Sequence, residues 1–161
     1  MTAYQSLFRF NKELPTDVKT VLILGPAGGV GSMAIQLLKA KTNVTVIATA
    51  SKPQIQNLLK ELREYIIVYH HSDVIKQLKE EGINQVDFVF AANGLKNAIS
   101  WLPELIKPYG YLAPIEGLTD IDLWPLMNKF VTVLLEMVFS KSILGVIQES
   151  QGAIIRELIG L

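Results

Sequence analysis

A glycine-rich turn near the start of the chain combines residue types and a spacing that suit phosphate binding. The turn covers Gly25-Pro26-Ala27-Gly28-Gly29-Val30-Gly31, between the apolar run Val21-Leu22-Ile23-Leu24 and a stretch with helical apolar spacing. In a strand, glycine turn and helix of this order, backbone N–H groups and the positive end of the helix face a pyrophosphate. We therefore predict a dinucleotide site with these contact residues in the turn: Ala27, Gly28, Gly29, Val30 and Gly31.

Two other interpretations of this turn compete with dinucleotide binding. A tight turn needs glycine for its backbone geometry alone, so a purely structural turn stays open as an alternative. A phosphate-binding loop of the ATPase type requires Gly-Lys-Ser/Thr after four intervening residues, and Val30-Gly31-Ser32 does not provide it. The sequence context favours a dinucleotide over ATP hydrolysis.

The stretch after the second predicted strand indicates which dinucleotide is bound. A carboxylate there accepts hydrogen bonds from the ribose 2′-hydroxyl of NAD, whereas Ala48-Thr49-Ala50-Ser51-Lys52 has none. The Ser51 hydroxyl can donate to a phosphate, and Lys52 supplies positive charge. We therefore predict that Thr49, Ser51 and Lys52 bind the adenosine end and that NADP(H) is preferred over NAD(H). The alternative is that Ser51 caps a helix that begins near residue 53, with Lys52 solvated.

Further contacts are predicted in the loops that follow two later strands. Ligands of open α/β sheets bind at the carboxyl ends of the strands, so Ala92, Asn93 and Glu116 are expected near the nicotinamide half. We identify no catalytic acid or base. The chain has no Cys, and the adjacent His70 and His71 would point to opposite faces of a strand, so we expect no zinc in this chain.

Short apolar runs alternate with amphipathic stretches along the chain, which is typical of parallel βαβ units. We predict strands at residues 20–24, 44–48, 66–68, 86–90 and 111–114, and a long sixth edge strand from Lys129 to Phe139. Helices are predicted at residues 2–10, 30–41, 53–62, 74–80, 96–105 and 148–161. The series predicts an α/β fold, a doubly wound parallel six-stranded sheet in the order 3-2-1-4-5-6 with helices on both faces, the Rossmann fold.

Length and charge restrict the classes of partner. A chain of 161 residues fits one domain, and 15 basic residues balance 15 acidic ones, so no net charge attracts nucleic acid or anionic membranes. The first ten residues lack the pattern of a secretory signal, and no apolar run reaches the roughly 18 residues of a membrane span. We therefore expect a cytoplasmic protein with no nucleic-acid or membrane partner.

Several segments together resemble the cofactor-binding domain of the medium-chain dehydrogenase/reductase superfamily, in its quinone-oxidoreductase-like and zinc-type alcohol-dehydrogenase-like branch. The similar segments lie at residues 2–8, 27–31, 46–51, 86–90, 122–126 and 136–142. Two positions depart from the family pattern. Pro26 replaces the first glycine of the fingerprint, and Arg63-Glu64-Tyr65 replaces a Gly-Ala-Asp before the third strand.

The resemblance implies an oxidoreductase that transfers hydride between the nicotinamide and a carbonyl, enone or quinone substrate. It also implies a homodimer through the strand from Lys129 to Phe139, which an apolar, weakly charged sheet edge independently favours. We expect residues 1–161 to form one dinucleotide-binding domain, with a lead-in helix and loop at residues 1–19 and without the family's GroES-like catalytic domain. The alternative is a non-catalytic nucleotide-binding or regulatory module, such as a truncated gene product.

Overall fold

The computed structural model describes residues 1–50, 66–69, 71–137, 143–145 and 151–160. In this part of the chain the strands are β1 Thr20–Leu24, β2 Thr45–Ala50, β3 Ile66–Tyr69, β4 Val86–Ala91, β5 Ile106–Pro114 and β6 Thr132–Val133. The helices are α1 Thr2–Leu7, α2 Gly29–Lys41, α3 Val74–Glu80, α4 Leu95–Ala98, α5 Leu102–Leu105, α6 Trp124–Met127 and α7 Gln151–Ile159. The predicted helix at residues 53–62 lies outside the described residues.

The six strands form one parallel sheet in the order β3-β2-β1-β4-β5-β6, which confirms the predicted Rossmann topology. The order reverses between β1 and β4, so the chain leaves these two central strands in opposite directions. A crevice forms at such a switch point, at the carboxyl ends of the strands. The glycine turn directly follows β1 and therefore lies at this crevice.

The central strand β1 is buried on both sides, because successive side chains of a strand point to opposite faces of the sheet. Val21 and Ile23 pack with α1, α2 and α7, on what we call the α2 face. Leu22 and Leu24 pack with α3, α4, α5 and α6, on the α4 face. Helices therefore cover both faces of the sheet, as predicted.

The carboxylate of Glu157 on α7 joins this helix to α1 and α2. Its Oε1 atom accepts a hydrogen bond of 2.8 Å from the Tyr4 hydroxyl and one of 2.9 Å from the Lys41 ammonium. The bond from Lys41 contributes most to lowering the pKa of Glu157 below its usual value, and the bond from Tyr4 adds to it. On the same helix Ile154 is buried, whereas Ile155 is exposed.

The predicted sixth strand differs from the structure. The sixth strand was predicted from Lys129 to Phe139, but within the described residues it covers only Thr132–Val133. The N–H groups of Lys129 and Val131 both donate to the Leu126 carbonyl, and Phe130 has a φ of 53°. A turn after α6 therefore occupies the start of the predicted strand. Residues 138 and 139 lie outside the described residues.

The predicted helix at residues 96–105 is interrupted. The structure has two short helices instead, α4 Leu95–Ala98 and α5 Leu102–Leu105, because Pro103 lacks the N–H that a continuous helix requires. Proline is well accommodated in the first turn of the second helix, where its missing N–H costs nothing. No helix in the described part of the chain combines the length and hydropathy needed to cross a membrane.

Candidate functional site

The glycine turn presents unpaired backbone donors at the beginning of α2. The N-cap residue is Gly28, and no side chain caps this helix. The N–H groups of Gly29, Val30 and Gly31 belong to the first helical turn, which has no acceptor of its own inside the helix. These donors and the positive end of the 13-residue helix make an anion site of the kind that binds a pyrophosphate.

Gly31 is required by the tight packing between the turn and the helix. A Cβ atom at this position would overlap the carbonyl oxygen of Gly25 and lie 2.8 Å from the Cα atom of Pro26. Gly25 is constrained as well, since its φ of +72° is in the left-handed region that favours glycine. Gly29 differs from both, because a Cβ atom there would meet nothing within 4 Å. Backbone geometry and packing therefore explain the glycines at positions 25 and 31, and they do not explain Gly29.

A cleft of about 540 Å³ opens above the turn at the carboxyl edge of the sheet. Its volume lies within the usual range of ligand sites. The lining residues come from β1 and the turn, from the ends of β2 and β5, and from the segment that follows β4. They are Leu24, Gly25, Pro26, Ala27, Gly28, Gly29, Val30, Gly31, Thr49, Ala92, Asn93, Gly94, Asn97, Ala98, Trp101 and Ile115.

The cleft extends over both faces of the sheet edge. Val30, Ala92 and Ile115 pack on the α2 face, whereas Leu24, Ala98 and Trp101 pack on the α4 face. The glycine turn lies between these two groups. The shape suits an elongated ligand with an anionic centre and a ring system at each end, which describes a dinucleotide.

Eight of the eleven predicted contact residues line this cleft: Ala27, Gly28, Gly29, Val30, Gly31, Thr49, Ala92 and Asn93. Ser51 and Lys52 lie outside the described residues. Glu116 is not part of the lining, and its Oε1 atom accepts a hydrogen bond of 2.6 Å from the N–H of Leu95, at the start of α4. Its predicted contact with the nicotinamide half stays a prediction.

Thr49 lies near the carboxyl end of β2, where it lines the cleft, and its hydroxyl oxygen can accept a hydrogen bond. Its hydroxyl donates a hydrogen bond of 3.3 Å to the carbonyl oxygen of Ile23, and this fixes the direction of the proton. The oxygen lone pairs can therefore accept a hydrogen bond from a ribose hydroxyl. The side chain is buried except where it reaches the cleft.

Sequence reasoning missed the wall of the cleft that follows β4. Asn97, Ala98 and Trp101 line the cleft. Their spacing of one and four residues is typical of one side of a helical segment, which is a signal in the sequence for a shared surface. These residues follow the strand that ends at Ala91. The rule that predicts Asn93 at the cleft, that ligands bind at the carboxyl ends of strands, therefore applies to them as well.

The lining of the cleft, as far as the structure describes it, carries no ionisable side chain. The groups with shifted pKa values lie elsewhere, and the carboxylate of Asp87 stands at the amino end of β4, opposite the cleft. An anion in this cleft is therefore bound by backbone N–H groups and by the helix end.

Comparison with known proteins agrees with this geometry. A family model described as zinc-binding dehydrogenase matches residues 29–156. The chain belongs to this family. Its domain is the Rossmann-type nucleotide-binding domain of medium-chain dehydrogenases and reductases, so the suspected resemblance is confirmed.

Individual members of the family show how much of a whole protein this chain represents. A zinc-type alcohol dehydrogenase-like protein of Staphylococcus aureus is 34% identical over 148 residues, which are 89% of this chain and 44% of that protein. An alcohol dehydrogenase from Aeropyrum pernix is 26% identical, with a TM-score of 0.69 over 85% of this chain and 40% of its own. The quinone oxidoreductase from Thermus thermophilus, described with its NADPH complex, is 25% identical, with a TM-score of 0.69 over 99% of this chain and 48% of its own. The chain spans less than half the length of these relatives.

The family description mentions zinc, and the described residues do not fit a zinc site. No group of three or more His, Cys, Asp or Glu side chains lies close enough together there to hold a metal ion. Zinc sites in proteins use three or four such ligands.

Proposed function

We propose that this chain is the NADP(H)-binding domain of an oxidoreductase that transfers hydride between the nicotinamide and a carbonyl, enone or quinone substrate. The observation that carries the proposal is the uncapped beginning of α2 at Gly28–Gly31, which opens into the cleft at the switch point of the sheet, where the described lining has no ionisable side chain. Backbone donors at such a place bind pyrophosphate in dinucleotide-binding folds.

The residues of the cleft position the cofactor. The N–H groups of Gly29, Val30 and Gly31 bind the pyrophosphate, and the Thr49 oxygen accepts from a ribose hydroxyl. Bound nicotinamide supplies the hydride donor or acceptor, so the domain orients the ring and excludes water from one side of it. Ile115 offers an apolar contact on the α2 face for this purpose.

The preference for NADP(H) rests on charge near the end of β2. The described lining has no carboxylate that would repel a 2′-phosphate, and Lys52 follows two residues after the last residue of β2. The relative from Thermus thermophilus, a quinone oxidoreductase described in complex with NADPH, supports the same cofactor. Ser51 is the second group proposed to bind the phosphate.

Calorimetric titration of the whole chain with NADPH and NADH tests this preference. We expect NADPH to bind about tenfold more tightly, since one charge-assisted contact contributes about 1.4 kcal/mol. Lys52→Ala should remove most of this difference and leave NADH binding unchanged. The matched control is Lys76→Ala, which removes a charge from the exposed surface of α3. NADH binding as tight as NADPH binding would contradict the preference, and no binding of either would contradict the proposed function.

A non-catalytic nucleotide-binding module is the second candidate. The absence of ionisable side chains from the described lining favours it, because nothing in this part of the cleft could act as acid or base. Both candidates bind the dinucleotide, and they differ in redox turnover. NADPH oxidation in the presence of a quinone or enone, measured by the loss of nicotinamide absorbance, would exclude the non-catalytic module.

We also propose that two copies of the chain pair along the edge formed by β6. This strand is the outermost of the sheet, and large apolar side chains beside it are exposed, among them Phe130, Leu135 and Met137. The rings of Tyr109 and Phe130 stack at 5.3 Å on the same exposed surface. Unpaired strand edges of this kind associate with other chains.

The mass in solution tests this pairing. We expect a dimer at micromolar concentration by analytical ultracentrifugation, and we expect Phe130→Asn to shift the equilibrium toward the monomer. Asparagine tolerates the positive φ of this position, so the substitution removes the apolar ring without adding backbone strain. Met33→Gln on α2 is the control, because it changes an exposed apolar residue on another surface. A monomeric wild-type chain would contradict the proposal.

A further inference from the structure

Trp101 is the one aromatic residue in the described lining of the dinucleotide cleft. It precedes α5, where it is partly buried against the core of the α4 face, and it still contributes surface to the cleft. The chain contains one other tryptophan, Trp124, which is 65% exposed and does not line the cleft. An indole held by the core on one side and open to a ligand cleft on the other is a platform for a planar ring.

The position of Trp101 distinguishes between the two ends of the cleft. Ile47 on β2 packs on the α4 face, and Thr49 is two residues further along the same strand. Since side chains of a strand alternate, Thr49 points to the α4 face as well. Trp101 therefore shares a face of the sheet with the end of β2, where the ribose of the adenosine half is bound in this fold.

The other end of the cleft has a different character. Ile115 and Ala92 pack on the α2 face, beyond the glycine turn, and their side chains are small or aliphatic. A reacting nicotinamide must leave one of its faces open to a substrate, whereas the adenine ring takes no part in the reaction and can be covered. The indole of Trp101 is therefore better suited to cover the adenine ring than the nicotinamide ring.

We propose that the indole of Trp101 stacks on the adenine ring and is a positioning residue for the adenosine half of the cofactor. The inference rests on the proposed dinucleotide function and extends it by assigning a base contact. Stacking of a base on an aromatic side chain contributes substantially to affinity and requires no charge. This suits a wall formed by Ala98, Asn97 and Trp101, which carries no ionisable group.

The test separates the two halves of the cofactor and uses the fluorescence of Trp101 as its readout. In the Trp124→Phe variant of the whole chain, Trp101 is the remaining tryptophan. We expect adenosine 2′,5′-bisphosphate to quench its emission at saturation and nicotinamide mononucleotide to leave it nearly unchanged. Quenching by nicotinamide mononucleotide and not by the adenosine compound would overturn the assignment.

Substitutions of Trp101 test how much the indole contributes to the affinity for the adenosine half. We expect Trp101→Leu to weaken calorimetric binding of adenosine 2′,5′-bisphosphate about tenfold, and Trp101→Phe to weaken it less than about threefold, because phenylalanine keeps a stacking face. Nicotinamide mononucleotide should bind all three proteins equally. Thermal unfolding of each variant shows whether the loss of indole packing has altered the fold, and the phenylalanine variant keeps the test valid if the leucine variant is unstable.

The failure of this inference is distinguishable from the failure of the proposed function. If NADPH binds the wild-type chain and Trp101→Leu binds the adenosine compound as tightly, the dinucleotide site stands and the stacking assignment is wrong. If the wild-type chain binds no dinucleotide in the calorimeter, both are wrong. Quenching by adenosine 2′,5′-bisphosphate, together with tenfold weaker binding of this compound to Trp101→Leu, supports both the stacking assignment and the proposed function.

Discussion

Gly31→Ala is expected to weaken NADPH binding about a hundredfold. The added Cβ atom would overlap the Gly25 carbonyl oxygen and lie 2.8 Å from the Cα atom of Pro26, and both neighbours are backbone atoms that cannot rotate away. The turn must therefore move relative to α2, which displaces the N–H donors from the pyrophosphate. Loss of two charge-assisted hydrogen bonds of about 1.5 kcal/mol each corresponds to this factor.

The same substitution should reduce stability. Forcing a methyl group into a closely packed turn costs about 1–3 kcal/mol, so we expect a lower free energy of unfolding in urea with a retained fold. NADPH affinity measured by calorimetry well below the melting temperature separates the binding effect from the stability effect. An affinity within threefold of the wild-type value would show that the turn does not position the pyrophosphate.

Gly29→Ala is the matched control for this experiment. It introduces the same methyl group two residues earlier in the same helix, where nothing lies within 4 Å of the new Cβ atom. Alanine at the first helical position also has the better helix propensity. We expect unchanged or slightly higher stability. Equal losses of stability for the two variants would indicate a general sensitivity of the turn, and would contradict the specific packing role of Gly31.

The part of the site that could be predicted from the sequence is the part encoded by neighbouring residues. An apolar strand, a glycine turn and an amphipathic helix follow one another within residues 20–41, and each element depends mainly on its own side chains. The strand order followed from the alternation of strands and helices with right-handed connections. Both were confirmed by the structure.

The rest depends on contacts between distant segments. The first part of β5 was missed because Pro108, Tyr109 and Gly110 resemble a turn, and Tyr109 does have a φ of 61°. The structure continues the strand through them with a register shift against β4, and the Tyr109 N–H donates to the Lys129 carbonyl. Such pairing between residues 20 positions apart overrides local propensity and leaves no periodic signal.

The role of Asp87 also became visible only in three dimensions. From the sequence, this residue is expected only near the start of a strand. In the structure its carboxylate, on β4, contacts the amino ends of both β1 and β5. Its Oδ2 atom accepts hydrogen bonds of 2.8 Å from the N–H groups of Lys19 and Thr20 and one of 2.9 Å from the Thr20 hydroxyl. Its Oδ1 atom forms an ion pair with the Lys107 ammonium. Burial raises the pKa of Asp87, but these hydrogen bonds, that from Lys107 foremost, outweigh burial and lower the pKa below its usual value.

Asp87→Ala is therefore expected to lower the free energy of unfolding by about 2 kcal/mol at neutral pH, because it leaves partly buried donors on Lys19 and Thr20 without their acceptor. Asp87→Asn should lose less, since its amide oxygen still accepts from these N–H groups.

The loss should depend on pH in a direction that the lowered pKa fixes. A carboxyl whose pKa is lower in the folded than in the unfolded chain stabilises the fold fully above its unfolded pKa, and this contribution disappears as the pH falls through the folded value. The difference between wild-type Asp87 and Asp87→Asn in urea denaturation should therefore be constant from about pH 5 to 8 and should narrow below about pH 4. Glu104→Gln serves as the control, because this carboxylate pairs with Lys79 on the surface, where such pairs contribute little. A difference that stays constant down to pH 3 would show that Asp87 acts through its shape and not through its charge.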